Sequence, residues 1–260
     1  MIPQFHGTTE DVGSAIYGIE NITDIELAEK VWEGVHHVRG VPSVCDTPAE
    51  SYLKGAPLFG SSSPFHNGIP SVSWYEGVVS MWSCILTDTE TIAYHPECLV
   101  NGCVVPAIVL RYQDLNTKQF TGVTATHIDP LTGGLGGAGR VTYGDISNSI
   151  CPITPLGLHD HLIVGVGFEN TLQILADKSA RCGCIVPQAR AILKLGNILP
   201  SSITKVTVVV GDNEDDIHDG KNLAETLLGK GVDVEIITRT NKTQKNTHAG
   251  SAGVKVTYNA

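Results

Sequence analysis

Apolar positions along the chain fall into short unbroken runs and helical stripes. Two runs stand out, His161-Leu-Ile-Val-Gly-Val-Gly-Phe-Glu169 and Lys205-Val-Thr-Val-Val-Val-Gly211. Continuous β-branched runs of this length read as strands buried on both faces, as parallel strands are. Each ends in an acidic turn, the second being Asp212-Asn-Glu-Asp-Asp216. Helical patterns follow at Asn170–Lys178 and Asn222–Leu228. Strands alternating with helices imply crossover connections and a parallel sheet. In such sheets ligands sit outside the carboxyl ends of the strands, where both acidic turns fall. Carboxylates gathered at one edge repel each other unless solvated or bridged by a cation, and Mg²⁺ suits oxygen ligands of this kind.

The front of the chain carries a different pattern. Residues 1–22 show no strong periodicity and are expected to form an arm. Thr23-Asp-Ile-Glu26 is a capping box that opens a helix through about Val38, with Leu27, Val31 and Val35 on one face and Trp32 beside them. Gly40 and Pro42 are expected to stop it. Pro48 at a first helical position starts a short helix carrying Tyr52 and Leu53 and ending near Gly55. Ser61–Gly68 is turn-rich, and Ser71–Leu86 reads as one or two strands. Val104–Leu110 and Phe120–Ile128 are two more strands, with Asn116–Lys118 as a hairpin tip. These elements predict an α+β region built on an antiparallel sheet. Gly133–Gly139 contains G-x-G-x-x-G, but Arg140-Val-Thr-Tyr143 after it is strand-like. Without a helix start to hold a phosphate, a flexible loop is the expectation. The organisation predicted is an arm at 1–22, an α+β region at 23–150, an α/β domain at 151–241 and a polar tail at 242–260, with a last strand at Val254–Tyr258.

Composition narrows the functional classes. The chain has 260 residues, enough for a substantial core, with 42% hydrophobic and 17% charged residues. No apolar run is long enough to span a membrane, and the start lacks a secretory pattern, so the cytoplasm is the expected location. The net charge of −10, with 17 Lys+Arg thinly spread, argues against strong nucleic-acid binding by this chain alone. The densest basic cluster is Arg239, Lys242 and Lys245. Seven cysteines do not suggest a disulfide framework. His95, Cys98 and Cys103, like Cys182 and Cys184, lack ribbon spacing, so free thiols are expected over zinc. His36-His37 and His159-Asp-His161 read as surface or core residues, and Glu26, Glu29 and Glu33 as a solvated helix face.

A resemblance joins these landmarks. Val166-Gly-Phe-Glu-Asn-Thr-Leu172 resembles a Glu-Gly-x-Glu-[Thr]-Ala-Leu turn, and Asp212-Asn-Glu214 an Asp-Asn-Asp turn. Gly196-Asn197 resembles an Ala-Gly-Asn turn, and Gly220 with Asn222–Leu228 the helix that follows the acidic turn. Upstream, Ala28–Trp32, Thr47–Leu53, Ile92–Cys98, Pro106–Leu110, Gly122–Asp129 and Gly139-Arg140 continue the match. The pattern is similar to the Toprim (topoisomerase–primase) proteins of the phage and plasmid primase and primase-helicase type, over roughly residues 28 to 240. The resemblance implies an α/β domain with a mostly parallel sheet flanked by helices, preceded by a smaller α+β region. It also implies DNA replication chemistry: a Glu acting as general acid/base near a 3′-hydroxyl, and an acidic pair holding Mg²⁺. Asp212 and Glu214 match the metal pair, and Gly196 and Asn197 a substrate-binding turn.

Departures from the family pattern bear on activity. The position of the family's first Glu is Val166, which can neither exchange a proton nor bind metal. Glu169 is the remaining candidate, though at a helix start it also serves as a cap that balances the dipole. Ala93 and Ala125 stand where the family has Arg, and no third acidic motif follows Arg239. Two readings result: a catalytically impaired derivative kept as a binding or structural component of a phage or mobile element, and an active DNA primase subunit priming on single-stranded DNA. The partners implied are single-stranded DNA, other replication or phage proteins, or a second copy, in a host cytoplasm or a virion.

Overall fold

The computed structural model describes residues 23–38, 40–44, 46–54, 90–132, 134–154, 156, 159–177, 182–211, 213–239 and 255–259. The expectations for residues 1–22, 61–68 and 71–86 and for Asp212 lie outside them. The described residues belong to two units, one drawn from 23–54, 90–114 and 118–146, the other from 115–117 and 147–259.

In the first unit, helix α1 (Asp24–Glu33) opens on the predicted capping box. The Glu26 amide donates to Thr23 Oγ1 at 3.3 Å, and the Thr23 amide donates to the Glu26 carboxylate at 2.9 Å. The helix stops five residues before the expected Val38. Gly34 closes it, donating its amide to Lys30 O, and the His36 amide is drawn to Tyr94 O at 2.6 Å. Strand β1 (His37–Val38) then pairs with β2 (Val41–Pro42) around Gly40, whose φ of 82° needs no Cβ. Helix α2 (Pro48–Lys54) starts at the predicted proline.

The sheet of this unit is antiparallel, in the order β3 (Ile92–Val100), β4 (Cys103–Asp114), β5 (Phe120–Asp129) and β6 (Gly134–Gly144). Leu27, Ala28, Val31 and Val35 of the α1 segment form one buried cluster with Val105, Ala107, Val109, Val123 and Ala125. Each such Leu or Val contributes about 1.5–3 kcal/mol when fully buried. The glycine run is a strand, β6, and not the expected loop. Its register against β5 shifts between Thr126 and Ile128, and the surplus β6 residues bulge outward. The Ala138 amide donates to His127 Nδ1 at 3.0 Å, and Asn101 Nδ2 donates to the carbonyls of Ala138 and Arg140. Gly136 lies flat on the His127 ring, where a Cβ would overlap it.

The second unit is the α/β part. Its strands β8 (His161–Val166), β9 (Cys182–Val186), β10 (Lys205–Val210), β11 (Asp233–Arg239) and β12 (Lys255–Asn259) are all parallel. The order is β7-β9-β8-β10-β11-β12, with β7 (Ser149–Pro152) antiparallel to β9. Helices α3 (Phe168–Asp177), α4 (Ala189–Ile198) and α5 (Glu214–Leu228) make the crossovers. Leu162 and Val164 of β8 and Val206, Val208 and Val210 of β10 share one core cluster with Ala191, Ile192 and Leu195 of α4 and Leu223, Ala224 and Leu227 of α5. The intervening positions face α3: a Cβ at Gly165 would overlap Thr171 Oγ1, and one at Gly183 would meet Leu175. The sheet therefore carries helices on both faces, so its strands are apolar on both sides. The fold class is the one expected, a mostly parallel α/β sheet flanked by helices and an α+β region with an antiparallel sheet.

Five described cysteines are free thiols, and complete burial pushes the Cys98 thiol up. No helix among the described residues is long and apolar enough to cross a membrane.

Candidate functional site

From β8 the chain crosses to β9 on one side, then returns past β8 to β10 on the other. The two crossovers leave a switch point between the adjacent parallel strands β8 and β10, and open α/β sheets commonly bind ligands outside the carboxyl ends at such a point. Register fixes what meets at that edge. Val209 pairs with Gly165, so Val166 and Val210 end the two strands side by side, and Val166 also pairs with Val186 of β9.

Val166 is half-buried and packs against the cluster shared by α4 and α5. Its side chain is part of the sheet's apolar face, at the position where the sequence resemblance expects a Glu. The chain then turns at Gly167, whose φ of 86° favours glycine. Glu169 is the second residue of α3 and is half-buried in its first turn, where a carboxylate balances the helix dipole. The Thr171 hydroxyl donates to Gly167 O at 2.6 Å, which holds this turn against the helix.

At the neighbouring turn, Asp212 lies outside the described residues. Asn213 is the N-cap of α5: its Oδ1 accepts from the Asp216 amide at 2.8 Å, and its Nδ2 donates to Asp216 Oδ2 at 2.7 Å. A Cβ at Gly211 would come within 2.5 Å of that same carboxylate oxygen, so a glycine is needed for Asp216 to fold back. Glu214, first in α5, is exposed. An Asn followed three residues later by Asp is a legible signal for this cap.

Gln188, Ala189 and Arg190 at the start of α4, with Asp215, Asp216, His218 and Asp219 of α5, line a cleft of about 440 Å³. Arg190 and His218 were not singled out by sequence reasoning, because the approach of two helix starts is a tertiary fact. Gly196 and Asn197 stand elsewhere. Helix α4 runs back from the carboxyl edge, which puts its last turn at the opposite end of the sheet. There Gly196 packs under α5, with a Cβ position 3.1 Å from Thr226 Cγ2, and its carbonyl accepts from Lys230 Nζ at 2.5 Å. The fold thus brings Val166, Glu169 and Glu214 to one edge and leaves Gly196-Asn197 apart from them. No three His, Cys, Asp or Glu side chains converge on a point among the described residues.

No family model and no curated protein matches the chain. Among solved structures it is similar to a DNA primase domain from Pseudomonas aeruginosa, at 10% identity and a TM-score of 0.32, over 51% of this chain and 43% of that one. It is also similar to the E. coli primase catalytic core, at 11% identity and a TM-score of 0.37, over 75% of this chain and 71% of that one. A DnaG primase catalytic domain bound to single-stranded DNA is similar at 9% identity and a TM-score of 0.38, over 87% of this chain and 72% of that one. The chain spans less than half of the first of these.

Proposed function

We propose that this chain is a Toprim/primase-like protein of a phage or mobile element. In this reading it is impaired in nucleotidyl transfer and acts as a component that binds single-stranded DNA or other replication proteins. The observation that carries the reading is Val166, an isopropyl group ending β8 beside Val210 at the switch point, where the sequence resemblance expects a carboxylate. Glu169 is the second residue of α3, in its first turn. Of the acidic pair, Glu214 is exposed at the head of α5, while Asn213 is turned to Asp216.

Mg²⁺ commonly keeps several waters and uses only one or two protein carboxylates. Asp212 and Glu214 would hold it, and once bound it would neutralise phosphate oxygens. The chain's own residues would supply position: Gly167 lets the backbone turn at the end of β8, Gly211 leaves room for the Asp216 carboxylate, and Asn213 with Asp216 fixes the head of α5.

A primer-synthesis assay on single-stranded DNA with Mg²⁺ and nucleotides, run on the unmodified chain and on Val166→Glu, tests this. The expected result is no product from the unmodified chain. Robust product from it would overturn the impaired-site reading in favour of the active primase subunit, which Asp212, Glu214 and Glu169 would then serve. Product from Val166→Glu alone would identify the missing side chain.

A further inference from the structure

We propose that Trp32, Arg111 and Phe120 of the N-terminal unit form a contact for single-stranded nucleic acid, remote in sequence from the acidic turns. The proposal rests on the nucleic-acid reading above and goes further by naming where a strand is held. Arg111 lies on β4 opposite Val123, and Phe120 begins β5 opposite Gln113. Trp32 comes from the last turn of α1. The guanidinium carbon is 5.8 Å from the centre of the Trp32 ring and 5.2 Å from that of Phe120. All three residues are half-buried.

No ion pair to Arg111 is found among the described residues. Its Nε is buried without a hydrogen-bond partner. Glu33, next to Trp32 in the chain, is held by Lys30 at 2.6 Å. A guanidinium keeps its charge at any ordinary pH, so half-desolvating one outside an ion pair is costly. The two rings attract it through their π faces but cannot accept the planar fork of N–H donors. The planar fork suits an anion's oxygens, and the two half-buried rings present surface beside it. A phosphate on the guanidinium with a base laid on an aromatic edge engages both, the combination by which single strands are held. An acidic peptide would satisfy the fork and leave the rings unused. The contact is focal, as befits a chain of net charge −10.

The test is fluorescence anisotropy of labelled oligo(dT) titrated with the full chain across a salt series, using the unmodified protein, Arg111→Met, Arg111→Lys and Phe120→Leu. Arg111→Met is expected to weaken binding about tenfold and to flatten the log affinity–log salt slope by about 0.7. Arg111→Lys should keep the slope while losing most of the affinity, since a lysine does not stack. Phe120→Leu should weaken binding with the slope unchanged. If the unmodified chain binds oligo(dT) and all three variants match it, this contact is wrong while the nucleic-acid reading stands. If the unmodified chain does not bind oligo(dT), both fall. Polyglutamate binding that depends on Arg111, without oligo(dT) binding, would overturn the choice of ligand. Should circular dichroism show Arg111→Met unfolded, the Arg111→Lys and Phe120→Leu arms decide.

Discussion

His95 makes the stability of the N-terminal unit depend on pH, and the size of the effect can be worked from its surroundings. The residue sits on β3 where pairing with β4 slips between His95 and Cys98. It is 5% exposed. Its Nδ1 accepts the Glu97 amide at 3.1 Å, and its Nε2 is buried with no partner. Gly34, at the end of α1, lies so close to the ring that a Cβ there would overlap Nε2. Protonation would add a charge in this buried site and a proton on Nδ1, opposite the Glu97 N–H, and burial lowers the pKa from 6.5 to about 4. The folded state therefore refuses a proton that the unfolded chain accepts below pH 6.5. Stability is fully present above 6.5, falls as the pH drops from there to about 4, and then levels off as both states become protonated. The loss across that window is about 3 kcal/mol. Urea unfolding of the unmodified chain and of His95→Asn, followed by circular dichroism between about pH 7.5 and 4, isolates it, since an Asn oxygen replaces the Nδ1 acceptor without titrating. The difference between the two proteins should shift by about 3 kcal/mol in favour of His95→Asn at the acid end. A difference that stays constant across the window would refute the reasoning.

Two further outcomes follow from local geometry. Thr23→Ala removes the side-chain half of the capping box at α1 and should cost about 1 kcal/mol by urea unfolding, with Thr23→Ser close to the unmodified chain. Gly165→Ala would drive a methyl into Thr171 Oγ1 and against the Val209 side chain, both buried, and should cost about 1–3 kcal/mol. Combining it with Thr171→Ala should cost less than the two single changes added together; strict additivity would mean that the close approach between β8 and α3 is not the cause.

Much of the fold is legible in short stretches because the information is local. Unbroken β-branched runs at 161–166 and 205–210 mark strands covered on both faces, and that is where β8 and β10 lie. A hydroxyl at Thr23 three residues before Glu26, and a proline at 48, each act within one helical turn, and both helices begin where those residues place them. The candidate site was half legible. The strand-then-acid pattern points to the carboxyl edge, but it does not display that Asn213 caps α5 and holds the Asp216 carboxylate.

The remainder depended on partners distant in the chain. The α1 pattern continues to Val35 and beyond, yet the helix ends at Glu33, and beyond it the His36 amide pairs with a carbonyl at Tyr94. The glycine run has no strand propensity of its own, and β5, His127 and Asn101 make it one. Gly196 resembles a loop glycine by motif, but its place was decided by how closely α4 packs on α5. By itself the sequence determined which segments could be strands or helices and where most of them start, since caps, proline and side-chain shape act over one turn. Only the tertiary structure decided where α1 stopped, what the glycines became and which charged groups met, because those outcomes depend on hydrogen-bond and packing partners that residue order does not display.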